Sequence, residues 1–332
     1  MRALLLESPQ PADGSPLRAV ELPGPDPGPG EVRVRIRCCA VCHTDLHIVE
    51  GDLPLPKLPL VPGHQIVGLI DALGSGVRTF KAGDRVGIPW LYSTDGTCNY
   101  CERQNENLCE QARFTGYHVH GGYAEYCTVR EDFAHSIPAA FSDQQAAPLL
   151  CAGVIGYRAY RLSSAQKGQR LGLYGFGASA HLVLQLARHQ GCEVFVFTRS
   201  PAHRALAEQL GAIWTGTAEQ TPPHPLDAAI IFAPAGVLVP QALRILGKAG
   251  TLTLAGITMT QIPALDYALL YHERIVRSVA NSTRDDCRDF LREAAKIPIQ
   301  PRIQLYPLAD ANRALQDLKH SRLEAAGVLQ VS

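Results

Sequence analysis

Between residues 170 and 200 the chain passes from an apolar strand, LGLYGF, through a glycine turn, GFGASA, into a helical stretch, ASAHLVLQLARHQG, and out into a second apolar strand, CEVFVFTRS. No other feature restricts the fold as much. A βαβ series of this kind implies a parallel sheet covered by helices on both faces. The alternation continues through PAHRALAEQLGA, LDAAIIFAP, the helical VLVPQALRILGKAG and the strand TLTLAGI, so a doubly wound α/β domain is expected over 148–284. Gly175, Gly177 and Ala180 stand at the positions of G-x-G-x-x-G/A, with Ala178 opening the helix. Glycines there let the backbone turn tightly and approach a pyrophosphate, whose charge the helix N-terminus stabilises. A structural glycine turn is spelled the same way. Placement between strand and helix, with the second strand ending at Thr198, favours the dinucleotide.

Residues 1–147 read as β: EVRVRIRC alternates with period two, HQIVGLIDAL and DRVGIPW follow, and clusters such as PGPDPGPG punctuate them. No long amphipathic helix is expected before about residue 140. The last stretch, 285–332, reads as a helix, DDCRDFLREAAK, a strand, PRIQLYPL, and a helix ending in LEAAGVLQV. It shows no further βαβ unit, so it is expected to return to the first domain. A length of 332 residues suits two domains with separate cores.

Lys plus Arg and Asp plus Glu are equal at 31 each, so no overall field favours nucleic acid or an anionic membrane surface. Small molecules and copies of the same chain are the expected partners. The opening MRALLLESPQ meets Glu7 and Pro9 too soon for a secretion signal, and no apolar run reaches spanning length, so a soluble cytoplasmic protein is expected. Ten cysteines in such a chain are metal ligands or buried thiols before they are disulfides. Cys38, Cys39, Cys127, Cys192 and Cys287 have no motif around them and read as small buried hydrophobes.

The loop DGTCNYCERQNENLC spaces Asp95, Cys98, Cys101 and Cys109 so that four ligands can wrap one tetrahedral ion; zinc accepts a carboxylate oxygen beside thiolates. The alternative is that Asp95 is a solvated turn residue. CHTDLH, PGHQIVG and PLLCAG offer Cys42, His64 and Cys151, and three such donors leave a fourth zinc position for a substrate oxygen. Spacing alone does not assemble them, and each by itself reads as a core cysteine or a satisfied histidine.

The strings CAVCHTDLH, VPGHQIVG, KAGDRVGIPWL, NENLC, FTGYHVHGGYAEY, PLLCAGV and GFGASA resemble the zinc-containing alcohol dehydrogenases of the medium-chain dehydrogenase family, in the same order and over nearly the whole chain. The resemblance implies a GroES-like β-rich catalytic domain followed by a Rossmann domain, and Cys42, His64 and Cys151 on a catalytic zinc. It further implies that Thr44 hydrogen-bonds the substrate oxygen, that His47 receives the proton through the cofactor ribose, that His43 lies near the cofactor pyrophosphate, and that Asp45 orients His64. Trp90 would line the substrate channel, with Leu53 where relatives specialised for ethanol carry Trp. Two positions depart from the family pattern: Gln65 replaces the Glu that usually follows the ligand histidine, and Asp95 replaces a Cys of the structural-zinc loop.

The function expected is hydride transfer between a primary alcohol, or its aldehyde in reverse, and a nicotinamide. The rivals are a zinc-independent quinone or enoyl reductase on the same fold and a non-catalytic dinucleotide sensor. Thr198, Arg199 and Ser200 end the second Rossmann strand without the acid that accepts ribose hydroxyls in NAD enzymes, and His203 and Arg204 follow, so NADP(H) is expected over NAD(H). The family's habit of pairing through edge strands, offered here by TLTLAGITM and RIVRSVAN, implies a homodimer or homotetramer.

Overall fold

The structure is a computed structural model that describes residues 1–331. The chain opens with β1 (Arg2–Leu6), β2 (Leu17–Glu21), β3 (Glu31–Val41), α1 (His43–Glu50), β4 (Ile66–Leu73), β5 (Arg85–Ile88), β6 (Leu91–Ser93), α2 (Asn99–Glu102), β7 (Arg113–Phe114), β8 (Tyr126–Arg130), β9 (His135–Ser136) and α3 (Asp143–Ala146). Helices and strands then alternate: α4 (Ala152–Ser163), β10 (Arg170–Tyr174), α5 (Ala178–His189), β11 (Glu193–Phe197), α6 (Pro201–Gln209), β12 (Trp214–Gly216), β13 (Leu226–Ile231), α7 (Leu238–Ile245), β14 (Leu246–Leu254) and β15 (Ile275–Ser278). The chain closes with α8 (Arg284–Ala294), β16 (Ile303–Pro307), α9 (Ala311–Lys319) and β17 (Ala326–Gln330). It forms two compact units, one of Met1–Cys151, Asn281–Ala295 and residues from Pro301 onward, the other of Ala152–Ala280 and Lys296–Gln300.

In the first unit the strands run β16-β17-β3-β4-β5-β9, with β8 also on β3. The alternation in β3 buries Val32, Val34 and Ile36 and turns Arg33, Arg35 and Arg37 outward. It gives way to continuous burial from Cys38 to Val41, where α3 and the 3-10 turn Ala147–Leu150 lie against the strand. In the second unit the order is β12-β11-β10-β13-β14-β15, all parallel, reversing between β10 and β13. Successive residues feed two cores: Leu171, Leu173, Val194 and Val196 pack under α5, and Phe195, Phe197, Ala229 and Ile231 under α7.

Several expectations change. The segment LEAAGVLQV is not helical at its end: α9 stops at Lys319, and Ala326–Gln330 pairs antiparallel with β3 and parallel with β16. Four successive buried residues, Ala326 to Leu329, carry no period that separates a buried strand from a helix. The C-terminal stretch therefore does contain a crossover, β16-α9-β17, which extends the first unit's sheet. A helix of eight residues, α1, stands within the region read as β. The chain passes to the second unit after Cys151 rather than at 148, because the turn Ala147–Leu150 is buried against β3, β4, β5 and β17. No described helix is long and apolar enough to cross a membrane.

Candidate active site

Register brings the first donors together. In the antiparallel β3–β4 pair Cys39 faces Ile66 and the Ala40 N–H donates to the Gln65 carbonyl at 3.0 Å, so the residues just beyond both strand ends, Cys42 and His64, meet. Cys42 then caps α1: its sulfur accepts the Thr44 N–H at 3.3 Å, while its own N–H donates to Asp45 Oδ2 at 3.0 Å. Cys151 arrives from the end of the 3-10 turn. The donor atoms of Cys42, His64 and Cys151 lie within 4.8 Å of one another, with Cys42 Sγ 3.3 Å from His64 Nε2. Ligands held at zinc–ligand distances around a tetrahedron stand about 3.5 Å apart, so the set fits such an ion.

The tautomer also fits. Asp45, fully buried, faces His64 Nδ1 at 2.8 Å, and a carboxylate only accepts, so Nδ1 carries a proton and Nε2 is the nitrogen that faces the sulfurs. The Cys151 thiol beside it, then His64, hold Cys42 well below the usual cysteine range despite burial, while Cys151 is driven up by the same contact. Burial pushes His64 down, but Asp45 and Cys42 outweigh it and raise it to about 10. The cluster thus attracts positive charge, which a metal ion supplies in place of a proton. Gln65 is buried with Oε1 unpartnered, as is the Tyr123 hydroxyl.

Thr44 and His47 are three residues apart on α1 and therefore share a face. His43 sits beside them, its ring 6.5 Å from that of His47. His47 Nδ1 lies 2.7 Å from Oδ2 of Asp52, a residue the sequence reading passed over. Trp90 stands edge-on to His64 at 4.8 Å and stacks on Phe114 at 5.0 Å, with Tyr117 at 5.7 Å. Phe114 and Tyr117 were also missed, although aromatic residues clustered after the cysteine loop were the available signal. Leu53 is half-buried against the same core.

The second cluster is local. Asp95, Cys98, Cys101 and Cys109 bring their donors within 4.8 Å. Asp95 Oδ1 accepts the N–H groups of Cys98 and Thr97 at 2.9 and 2.8 Å, which hold its carboxyl well below the ordinary range. It is thus a turn residue and a member of the cluster at once. Cys101 is pushed up to about 12 by burial and by the neighbouring Cys98 and Asp95. Three thiols converging with an ionised carboxylate suit a thiophilic dication. Within this loop Glu106 grips Arg284 at the start of α8: Oε2 accepts Nη2 at 2.6 Å and Oε1 accepts the backbone N–H at 2.8 Å. Among the described residues these two clusters are the convergent groups of three or more such donors.

In the second unit Gly175 follows β10 with φ at +85° and a missing Cβ that would stand 3.0 Å from Ala233, so both conformation and space require glycine. A Cβ on Gly177 would meet nothing within 4 Å, and α5, opened by Ala178, has no side-chain cap. That leaves the first N–H groups of a helix and an open cradle at the β10–β13 reversal, which suits a pyrophosphate. At the end of β11 Thr198 is nearly buried and Arg199 exposed. Ser200 caps α6 by accepting the His203 N–H at 3.3 Å. The Arg204 guanidinium turns back to the carbonyls of Thr198 and Arg199 at 3.1 and 3.3 Å. The rim also carries an acid, Glu219, held below the usual range chiefly by Thr217, with Arg199 contributing charge.

Residues 28–139 match the family model "Alcohol dehydrogenase GroES-like domain", and residues 180–296 match "Zinc-binding dehydrogenase". The chain is 48% identical over 337 residues to "Probable alcohol dehydrogenase AdhA" of Mycobacterium tuberculosis, covering 100% of this chain and 97% of that protein. Among solved structures, a cinnamyl alcohol dehydrogenase from Sorghum bicolor superposes with a TM-score of 0.90 at 26% identity, over 99% of this chain and 97% of that one. A Helicobacter pylori protein described as CAD complexed with NADP(H) superposes with a TM-score of 0.88 at 26% identity, over 99% of both.

Proposed function

The chain belongs to the zinc-binding alcohol dehydrogenases of the medium-chain family, and from that premise we propose that it interconverts a primary alcohol and its aldehyde at a zinc ion held by Cys42, His64 and Cys151, using NADP(H) in preference to NAD(H). The observation that carries this reading is the convergence of three donors with His64 Nε2 presented to them. Three protein ligands leave one tetrahedral position for substrate. A bound zinc supplies Lewis acidity toward the substrate oxygen, and the nicotinamide supplies the hydride acceptor.

The rest falls to side chains. Asp45 keeps the His64 proton on Nδ1. The Thr44 hydroxyl hydrogen-bonds the substrate oxygen and is the first group on the path by which the alcohol proton reaches His47. Trp90, with Phe114 and Tyr117 behind it, gives the site an apolar wall that excludes water. Leu53, smaller than Trp, leaves room for alcohols larger than ethanol. Asp95, Cys98, Cys101 and Cys109 hold a second, structural zinc.

Gly175, Gly177 and Ala178 receive the pyrophosphate, and the family resemblance assigns His43 to the same group. Arg199 pairs with the 2′-phosphate, supported by the hydroxyls of Thr198 and Ser200. NADP(H) is bound by the structural neighbour from Helicobacter pylori. Arg199 is exposed, and one charge pair at a wet rim is worth only about 1 to 3 kcal/mol of discrimination. The exposed edge strand β15, with Ile275, pairs with a second copy in a dimer or tetramer.

The test is a panel of alcohols and aldehydes with both cofactors, read beside zinc content and light scattering. Two zinc ions per chain, turnover of primary alcohols, a higher kcat/KM with NADP(H) and an oligomer are expected. An NAD(H) preference untouched by Arg199→Asp removes the cofactor assignment. Full turnover after the metal is stripped removes the mechanism, and a monomer at micromolar concentration removes the association.

A further inference from the structure

Helix α1 ends in a reversal that sets a second carboxylate against a histidine. Gly51 takes φ 82° and ψ 17° and donates its N–H to the carbonyls of His47 and Ile48, while the Asp52 N–H donates to the His47 carbonyl at 2.9 Å. In such a left-handed helix ending the residue after the glycine folds back over the last turn, usually to make an apolar contact. A side chain at Gly51 is excluded by its positive φ and by Pro9, whose Cβ lies 2.9 Å from where a new Cβ would stand. The residue folded back is Asp52, and its Oδ2 lies 2.7 Å from His47 Nδ1. Because a carboxylate only accepts, Nδ1 carries the hydrogen and Nε2 is the unprotonated nitrogen of the neutral ring.

We propose that Asp52 is a positioning residue for proton transfer: it locks His47 in the tautomer whose Nε2 can take a proton, and its charge stabilises the imidazolium that results. This rests on the reading of His47 as the group that receives the alcohol proton. In that step the substrate O–H bond breaks with Thr44 as the first group on the proton's path, an N–H bond forms at His47 Nε2, and the new positive charge forms against Asp52.

Asp45, on the same helix as His47, faces His64 at 2.8 Å. His43 lies on that helix too, with its ring 6.5 Å from that of His47. Glu50 at its end accepts Lys319 of α9 at 2.8 Å, and Asp13, from the 3-10 turn packed on α1, accepts Lys319 and His320 at 2.6 and 2.7 Å.

The experiment uses the zinc-loaded enzyme as Asp52→Asn, Asp52→Glu, His47→Gln and the Asp52→Asn/His47→Gln double variant. Two readings are taken: the pH profile of kcat/KM for alcohol oxidation, and the nitrogen shifts of the His47 ring by NMR. Without the carboxylate the imidazolium is less stable, so Asp52→Asn should move the acid limb to lower pH. At neutral pH kcat should fall roughly three- to tenfold. Asp52→Glu should restore most of both, and the Nδ1–H signature should weaken only in Asp52→Asn. His47→Gln should abolish the limb, and Asp52→Asn should add nothing in that background. A His47→Gln profile like the parent's removes the relay and the proposal with it. A large His47→Gln effect beside an unmoved limb and ring tautomer in Asp52→Asn overturns the role of Asp52 alone.

Discussion

The two donor clusters of the first unit are built in opposite ways. Asp95, Cys98, Cys101 and Cys109 come from one loop of 15 residues, with Asp95 and Cys98 toward water and backbone N–H groups bracing the carboxylate. Cys42, His64 and Cys151 span 110 residues, and a strand register, a helix cap and a 3-10 turn are needed to join them. The loop braces itself and can lose a ligand without disturbing the sheet. The dispersed cluster is held by the core, so losing a ligand should remove the chemistry and spare the fold.

The largest expected effect follows directly. Cys42→Ser or Cys151→Ser should lose essentially all turnover while circular dichroism and nucleotide binding stay near the parent's, because the second unit's core shares no residue with the cluster. Near-parent turnover with an empty site would erase the distinction between the clusters.

Next in size, Asp45→Asn should weaken metal retention about 10- to 100-fold, since the amide can donate to the ring and no longer holds the Nδ1 proton as a charge. Chelator competition measures it. An unchanged affinity would mean that His64 is fixed by packing alone.

The loop should answer in stability instead. Asp95→Ala should take zinc content towards one per chain and lower the melting temperature by roughly 5 °C, with kcat within about twofold of the parent's. A comparable loss of kcat would show that the two clusters are not separable.

The smallest effect concerns the tie between that loop and α8. Glu106 is nearly buried; burial raises its carboxyl, but Arg284 outweighs this and holds it below its ordinary 4.5. A depressed carboxyl contributes stability that is present above the ordinary value and lost as pH falls through the folded one. Glu106→Gln should therefore cost about 1 to 3 kcal/mol at neutral pH, with the gap from the parent closing below about pH 4. Denaturant titrations at pH 7 and 3.5 check this, and a constant gap would assign the loss to packing.

The sequence determined what local pattern can determine. The glycine turn between strand and helix at 175–177, the βαβ alternation and the Asp95–Cys109 loop are each written within a few dozen residues, because tight turns and short loops have few other solutions. Five cysteines read as small hydrophobes are buried in the fold: Cys38, Cys39, Cys127, Cys192 and Cys287. Resemblance to a family, rather than spacing, singled out Cys42, His64 and Cys151 together, since residues this far apart approach only when β3 and β4 take one register out of many. Tertiary structure alone decided that AGVLQ is a strand, because its pairing with β3 and β16 settles what an unbroken apolar run leaves open. It also placed Asp52 on His47: the turn at Gly51 could be read from sequence, but the direction in which it returns a side chain is set by the helix end it folds over and by Pro9 packed against it.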